Sequence, residues 1–211
     1  TLNSNNYESR SFNYYTDTSE RENYLFNSKI NGIEDSDFIF LIGTNPRFEA
    51  TILNARIRKS HVNSNTKIVS LNDVGDLTYP YKKLDGQTKT LVEIFEGQND
   101  ISKEILNSKK PLIILGKSFL KTQSANFIFN LIKKFLKNNN KISKEWNPIN
   151  SLSVDASTVG SLDLGIINNE KDIFKKLDNH EFDTIYLLGQ DNLSFSKKNE
   201  FIIYQGSHGD K

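Results

Sequence analysis

Short, continuous apolar runs that end in glycine recur along this chain and constrain its fold more than any other feature. The first run is Phe38–Ile42, and Gly43 follows it. Because its apolar residues are consecutive rather than alternating, the run is typical of a strand covered on both faces, as in a parallel sheet. The pattern recurs in three further segments, and a shorter candidate strand completes the set: Pro111–Gly116, Thr184–Gly189, Phe201–Gly206 and Lys67–Leu71.

Helical patterns lie between the candidate strands. Apolar residues recur at helical spacing within residues 127–136, and lysines near the end of that segment suit the helix dipole. Strands that alternate with helices predict a Rossmann-like α/β fold, with a mainly parallel sheet and helices on both faces. Three other helices are predicted at Glu49–Ser60, at Leu91–Leu106 with an interruption near Gly97, and around Ile173–Leu177 with Asn168 or Asn169 as its cap.

Composition divides the chain into three segments. Residues 1–22 are polar and lack periodicity, so they are predicted to form an extended lead-in. Residues 137–148 are expected to be a surface excursion, and two α/β halves are predicted at residues 23–110 and 111–211. The chain contains no methionine, so we expect a processed product or an internal piece of a longer polypeptide.

Composition also argues against several kinds of site. The chain has no cysteine, and iron–sulfur clusters are held by cysteine thiolates, so it is expected to ligate no cluster. His61, His180 and His208 lack the spacing of a metal site, and none is predicted. Lysine and arginine total 27 against 26 aspartate and glutamate, a net charge of +1, so no overall field favours nucleic acid. No apolar run approaches the roughly 20 residues that a membrane helix requires.

Gly43-Thr44-Asn45-Pro46 is a candidate ligand loop, because it follows the first strand and precedes a helix. Two interpretations remain open for it. The loop amides and the helix N-terminus could receive an anion, although the segment has neither the glycine triad of a dinucleotide site nor the lysine of a Walker loop. Alternatively, Asn45 and Pro46 only shape a tight turn.

Four basic residues lie just before or within the helix that follows this loop: Arg47, Arg56, Arg58 and Lys59. A contact surface for an acidic partner subunit and a solvated helix face are both consistent with them. No catalytic residue is predicted. Ser207, His208 and Asp210 are near neighbours in a glycine-rich segment, where they cannot easily form the hydrogen-bonded relay of a catalytic triad.

Several motifs carry a family resemblance. The segments GTNPRFEA and LNARIRK resemble the large iron–sulfur subunit of respiratory complex I (NADH:ubiquinone oxidoreductase), in its molybdopterin-oxidoreductase-like region beyond the cluster-binding domains. Ser207 stands where that family has the first of two histidines, which speaks against a metal or catalytic use of the histidine pair. Four further segments match in the same order and extend the resemblance over almost the whole chain: NYLFNSKINGIEDSDFIF, VGDLTYPY, VGSLDLG and YQGSHGD.

The resemblance implies a molybdopterin-oxidoreductase-like fold and a structural, redox-silent module of the peripheral arm of complex I. In molybdopterin oxidoreductases a GxNP loop contacts the pterin cofactor, and Gly189–Asp191 is similar to its counterpart in the second half. The complex I subunit is generally regarded as having lost that cofactor, so Gly43–Pro46 is expected to be vestigial. FMN and iron–sulfur clusters are then expected elsewhere in the complex. Because the family continues past the HGD motif, the chain is expected to end short at its C-terminus.

The implied partners are other peripheral-arm subunits, including a cysteine-rich, cluster-bearing polypeptide or domain. Neither nucleic acid nor a direct membrane span is expected. The bias towards Asn, Lys and Ile points to an AT-rich genome and favours a mitochondrion. The resemblance then implies the peripheral arm on the matrix face of the mitochondrial inner membrane, with the cytoplasmic face of a bacterial plasma membrane as the alternative. Two other functions remain open: a fragment of an active molybdopterin-dependent oxidoreductase, and a free nucleotide-binding α/β domain.

Overall fold

A five-stranded parallel sheet organises one part of the protein. The computed structural model describes residues 4–10, 15–167, 172–190 and 193–207. The strands of this sheet are Phe38–Ile42 (β1), Lys67–Ser70 (β2), Lys82–Lys83 (β3), Pro111–Leu115 (β4) and Ile149–Ser151 (β5). They follow the order β3-β2-β1-β4-β5, and every neighbouring pair is parallel. The predicted α/β fold with a parallel sheet is confirmed.

Eight α-helices and two short 3-10 helices are present in the described residues. Among them, no helix is both long and apolar enough to cross a bilayer. The 3-10 helices are Arg21–Asn23 and Asn31–Asp35. The α-helices are Pro46–Glu49 (α1), Thr51–Ser64 (α2), Thr88–Phe95 (α3), Asp100–Asn107 (α4), Lys117–Leu120 (α5), Ala125–Asn138 (α6), Thr158–Asp163 (α7) and Ile173–Asp178 (α8).

Side chains of β1 alternate between the two faces of the sheet and are buried on both. Ile39 and Leu41 belong to the core cluster that also contains apolar residues of α2. On the other face, the ring of Phe40 lies 6.3 Å from that of Phe95 in α3, and Phe95 meets Phe135 of α6 edge-on at 5.7 Å. All residues of β1 and of β4 are buried. Helices therefore cover both faces, which explains why the two runs are continuously apolar.

Two predicted helices are divided in the structure. The segment predicted as Glu49–Ser60 forms α1 and α2, because Ala50 leaves helical geometry at φ −155°. Asn65 then ends α2 in the left-handed region at φ 53°. The segment predicted as Leu91–Leu106 forms α3 and α4, and Gly97 at φ 83° provides the expected interruption.

A second unit comprises residues 1–13 and 160–211, whereas the five-stranded sheet lies in residues 14–159. The predicted boundary between residues 110 and 111 falls inside the large sheet, since β4 pairs with β1 along its whole length, so the structure divides the chain elsewhere. In the second unit, Thr184–Leu188 (β6) and Phe201–Gln205 (β7) form a two-stranded parallel sheet. Asp172 caps α8, while Asn168 and Asn169 lie outside the described residues.

The strands β6 and β7 differ from the prediction in their surroundings. Their apolar runs predict strands covered on both faces, yet each residue of β6 and β7 is exposed or only half-buried. In β1 and β4, by contrast, every residue is buried. An apolar run therefore predicted a strand correctly but did not predict what covers it.

Candidate functional site

The candidate ligand loop, Gly43–Pro46, lies at the carboxyl end of β1, next to the point where the strand order changes direction between β1 and β4. Open α/β sheets bind ligands at such a point, because the loops on its two sides diverge and leave a crevice. Gly43 has φ 63°, in the left-handed region that favours glycine. On the β4 side, Gly116 begins the opposing loop.

The two loops contact each other directly in this structure. The Gly116 N–H donates to the carbonyl of Ile42 at 2.9 Å, and the Ser118 N–H donates to the carbonyl of Gly43 at 3.1 Å. A Cβ on Gly43 would lie 2.4 Å from the backbone nitrogen of Phe119, and one on Gly116 would lie 2.3 Å from the Cβ of Thr44. Close backbone approach thus fills the crevice with the protein's own loops.

A carboxylate of the chain accepts hydrogen bonds from the loop. Glu49, at the end of α1, accepts from the hydroxyl of Thr44 at 2.9 Å and from the backbone N–H of Asn45 at 3.2 Å. The side chain of Asn45 accepts from the Arg47 N–H at 3.1 Å and donates to the carbonyl of Val74 at 2.8 Å. Glu49 therefore occupies donors that an anionic ligand would need.

The predicted counterpart of this loop, Gly189–Asp191, lies in the second unit. Gly189 follows β6 with φ 58°, and its N–H donates to the carbonyl of Gln205 at 2.7 Å. Gln190 is half-buried, and Asp191 lies outside the described residues. A Cβ on Gly189 would meet nothing within 4 Å. The space beside Gly189 is therefore open, whereas the space beside Gly43 is filled by Phe119.

Acidic groups of the same unit bind three of the four predicted basic contact residues. Arg47 donates to the carboxylate and to the carbonyl of Asp76, each at 2.7 Å. Arg56 and Lys59 both bind Glu34, at 2.5 and 2.6 Å. The hydrogen bond from Lys59 is the main cause that lowers the pKa of Glu34.

Arg58 differs from the other three basic residues. It is exposed, and no hydrogen bond or ion pair of its side chain is found within the described ranges. Its guanidinium can therefore bind an external carboxylate without giving up a described contact within the chain.

An exposed apolar surface on helices α1 and α2 was not predicted from the sequence. The side chains of Phe48, Ile52 and Val62 are 81%, 71% and 69% exposed. Phe48 and Ile52 line a cleft of about 490 Å³, together with Tyr24, Phe26 and other mostly apolar residues. The signal was present in the sequence, since Ile52 and Val62 fall on the helix face opposite the buried Leu53 and Ile57.

Neither a metal site at the histidines nor a catalytic group at Ser207, His208 and Asp210 was predicted from the sequence. His61 shares a hydrogen bond with the carbonyl of Thr66 at 3.0 Å, and His180 with Glu200 at 2.6 Å. No group of three or more potential metal ligands occurs in the portion of the chain that the structure describes. Ser207 is exposed after β7, while His208 and Asp210 lie outside the described residues.

Comparison with known proteins identifies the family. The model of the molybdopterin oxidoreductase family matches residues 1–211, so the chain belongs to that family. It is similar to the NADH-ubiquinone oxidoreductase 75 kDa subunit of Reclinomonas americana, with 41% identity over 90% of the chain and 28% of that relative.

Two further relatives have related names. The mitochondrial NADH-ubiquinone oxidoreductase 78 kDa subunit of Candida albicans is 41% identical over 90% of the chain and 26% of the relative. An NADH-quinone oxidoreductase subunit of Rickettsia prowazekii is 38% identical over 99% of the chain and 30% of the relative. The predicted resemblance to the large subunit of NADH:ubiquinone oxidoreductase is confirmed. The chain spans less than a third of the length of these relatives.

The family implies a molybdopterin cofactor, and the loop geometry does not fit its phosphate groups. A phosphate bound to the hydroxyl of Thr44 and the amide of Asn45 would need the same two donors that the Glu49 carboxylate uses. The phosphate and the carboxylate are both negatively charged and would repel each other. The backbone of Phe119 also occupies the space beside Gly43. This arrangement is consistent with a tight, self-capped turn.

Proposed function

We propose that this chain is a structural, redox-silent module of the peripheral arm of respiratory complex I, the enzyme that couples electron transfer from NADH to quinone with proton pumping. The observation that carries the proposal is the self-capped loop, in which Glu49 takes the donors of Thr44 and Asn45. With this loop closed by the Glu49 carboxylate, the proposed role of the module is structural, through its contacts with other subunits. The relatives are named as subunits of NADH-ubiquinone and NADH-quinone oxidoreductases, which supports the assignment to this complex.

The cofactors of the complex, FMN and iron–sulfur clusters, are assigned by this proposal to other polypeptides or domains. Because the chain has no cysteine, thiolate ligation of a cluster would have to come from a cysteine-rich partner. The proposed location is the matrix face of the mitochondrial inner membrane, and for a bacterial source the cytoplasmic face of the plasma membrane.

Native electrophoresis tests the assignment to the complex. The tagged chain, expressed in its own cells, is expected to migrate in a band of very large mass that also oxidises NADH in the gel. Mass spectrometry of that band should find a cysteine-rich, cluster-bearing polypeptide. Migration of the chain alone, apart from NADH dehydrogenase activity, would refute the proposal and favour a free α/β domain.

Arg47, Arg56, Arg58 and Lys59 are proposed to contact an acidic partner subunit, and Arg58 provides the cleanest test. Reversing Arg56 would also break its contact with Glu34, whereas Arg58 has an exposed side chain. Arg58→Glu is expected to reduce assembly into the large band, because the partner's carboxylates would then meet a like charge. The matched control is Lys134→Glu, at an exposed position of α6. Equal assembly of both variants would refute the contact.

An active molybdopterin-dependent oxidoreductase is the second candidate, and the family match favours it. Elemental and pterin analysis of the purified protein separates the two functions. The structural proposal expects molybdenum and pterin well below one equivalent per chain. A stoichiometric molybdenum signal would overturn it, and would require Glu49 to leave the loop.

A further inference from the structure

Helix α2 carries apolar side chains on two opposite faces. Leu53 and Ile57 are buried against the sheet, whereas Ile52, Ala55 and Val62 are exposed. A surface helix normally places polar residues on its outer face, and a helix that is apolar on both faces is normally covered on both. The outer face of α2 is therefore a candidate interaction surface.

The exposed residues form a single stripe. Positions 52, 55, 59 and 62 are separated by three, four and three residues, which is the spacing of a coiled-coil seam. Lys59 contributes the aliphatic part of its side chain, because its ammonium group is drawn to Glu34 at 2.6 Å. We call Ile52, Ala55, Lys59 and Val62 the outer seam.

A cleft continues the outer seam at the N-terminal end of α2. Ile52 belongs to both, and Phe48 stands at the rim with its ring almost fully exposed. The cleft has a volume of about 490 Å³ and is lined mainly by apolar side chains, including Phe26 and Leu152. Its volume lies in the range of pockets that receive a large side chain or a small ligand, so a helix lying along the seam could place an apolar residue in it.

Positive charge borders the outer seam on both sides. At the helical angle of 100° per residue, Arg56 lies on one flank and Arg58 on the other. These are the positions at which helix pairs select partners by charge. Because Arg58 has no described ion pair, and Arg56 is half-exposed beside Glu34, the surface is complementary to a helix that carries acidic residues on both sides of an apolar stripe.

We propose that the outer seam of α2 binds an amphipathic helix of a partner polypeptide, with acidic residues flanking its apolar stripe. This inference rests on the proposed function, because it gives the chemistry of the partner that the basic residues contact. The partner's apolar stripe covers Ile52 and Val62, one of its large side chains enters the cleft beside Phe48, and its carboxylates pair with Arg58 and Arg56.

Peptide binding to the purified chain tests this surface directly. The probe is a fluorescein-labelled synthetic helix of about three heptads, with leucine at the seam positions and glutamate at the flanking positions. A second probe carries lysine at the flanking positions. Anisotropy titration is expected to give at least about tenfold tighter binding of the glutamate probe.

Variants of the chain identify the residues that bind. The double variant Ile52→Ser and Val62→Ser is expected to weaken binding of the glutamate probe by about tenfold or more, and Arg58→Glu should remove the preference for it. The controls are Phe127→Ser and Lys134→Glu, at exposed positions of α6, and both should bind as the unaltered chain does. Unchanged thermal unfolding of each variant shows that the fold is intact.

Several results would overturn the inference. These are equal binding of the two probes, unaltered binding by the seam variant, and no binding of the glutamate probe up to about 1 mM. Self-association that the seam variant abolishes would assign the face to a second copy of the chain and would also overturn it. The native-gel experiment decides separately on complex I: a chain that binds the probe but migrates alone keeps this surface and loses the proposed function.

Discussion

The two sheets of this protein are built from the same kind of sequence but differ in their surroundings. Strands β1 and β4 are continuous apolar runs followed by glycine, and all their residues are buried. Strands β6 and β7 are also apolar runs followed by glycine, yet each residue remains at least partly exposed. Local sequence thus specifies the extended conformation and the turn after it, whereas burial depends on elements that are distant in sequence.

The first prediction compares matched isoleucines of the two sheets. Ile114 in β4 is fully buried, whereas Ile203 in β7 is 38% exposed. Ile114→Ala is expected to lower the free energy of unfolding by about 2–5 kcal/mol, because it leaves a cavity in a packed core. Ile203→Ala should cost less than about 1 kcal/mol, because part of that side chain is in water in either state.

Urea titration measures these effects. Trp146 is the single tryptophan and packs against the core that contains Ile114, so its fluorescence follows the unfolding of the large sheet. Hydrogen exchange of the β7 amides follows the small one. Equal losses for the two variants would show that the difference in burial between the sheets has no energetic counterpart.

The second prediction compares the glycines that follow β1 and β6. Both have positive φ, 63° at Gly43 and 58° at Gly189. Alanine at Gly189 meets nothing within 4 Å, so its expected cost is only the left-handed strain of about 1–2 kcal/mol. Alanine at Gly43 adds a contact of 2.4 Å with the Phe119 backbone and is expected to cost distinctly more.

Thermal unfolding of Gly43→Ala and Gly189→Ala measures the difference between the two loops. A larger loss for Gly43→Ala supports the direct contact between the loops after β1 and β4. The same loss for both would mean that these loops separate in solution, and the crevice would then be open to a ligand.

The third prediction concerns acid stability. Hydrogen bonds, first from the Lys198 N–H and also from His180, lower the pKa of Glu200 from 4.5 to about 2. A lowered pKa in the folded state stabilises the fold above the unfolded value, and this contribution disappears as the pH falls from about 4.5 to about 2. Glu200→Gln should therefore remove part of the acid sensitivity of the β6–β7 unit.

Asp73 provides the counterpart in the unit of the large sheet. Its pKa is also lowered to about 2, mainly by Lys83, but its side chain is 59% exposed whereas Glu200 is buried. Because water screens an exposed pair, Asp73→Asn is expected to change acid unfolding less than Glu200→Gln. Unfolding free energies at about pH 5 and about pH 3 distinguish the two, and a larger effect of Asp73→Asn would contradict this ranking.

Much of the fold could be predicted from the sequence, and the exceptions have physical causes. Strand β5 was missed because its three residues contain a single apolar side chain, Ile149. Its buried Asn150 accepts a hydrogen bond from the Ser28 N–H and donates one to the Ser28 hydroxyl. Strand β3 was missed because it consists of Lys82 and Lys83 at the sheet edge. Such strands are defined by pairing with a neighbour, which a local pattern does not show.

The sequence predicted the position of the candidate ligand loop, but not that Glu49 accepts hydrogen bonds from it. The strand, the loop and the following helix were predictable from β1 and from Asn45 and Pro46. The role of Glu49 was not predicted, because the sequence pattern alone did not show that its carboxylate accepts hydrogen bonds from Thr44 and Asn45. Partners of the basic residues were also hidden, since Glu34 and Asp76 are distant in sequence from the side chains that they bind.

The smallest predicted effect tests the exposure of β6 itself. Leu188 is 69% exposed, and Leu188→Ser is expected to change the free energy of unfolding by no more than about 0.5 kcal/mol, as is usual for a surface position. Native-state hydrogen exchange of the β6 amides measures it. A loss of about 2 kcal/mol or more would mean that another element covers this strand in solution. The two sheets would then differ less than their described surroundings indicate, and the continuous apolar run would have predicted burial correctly in both.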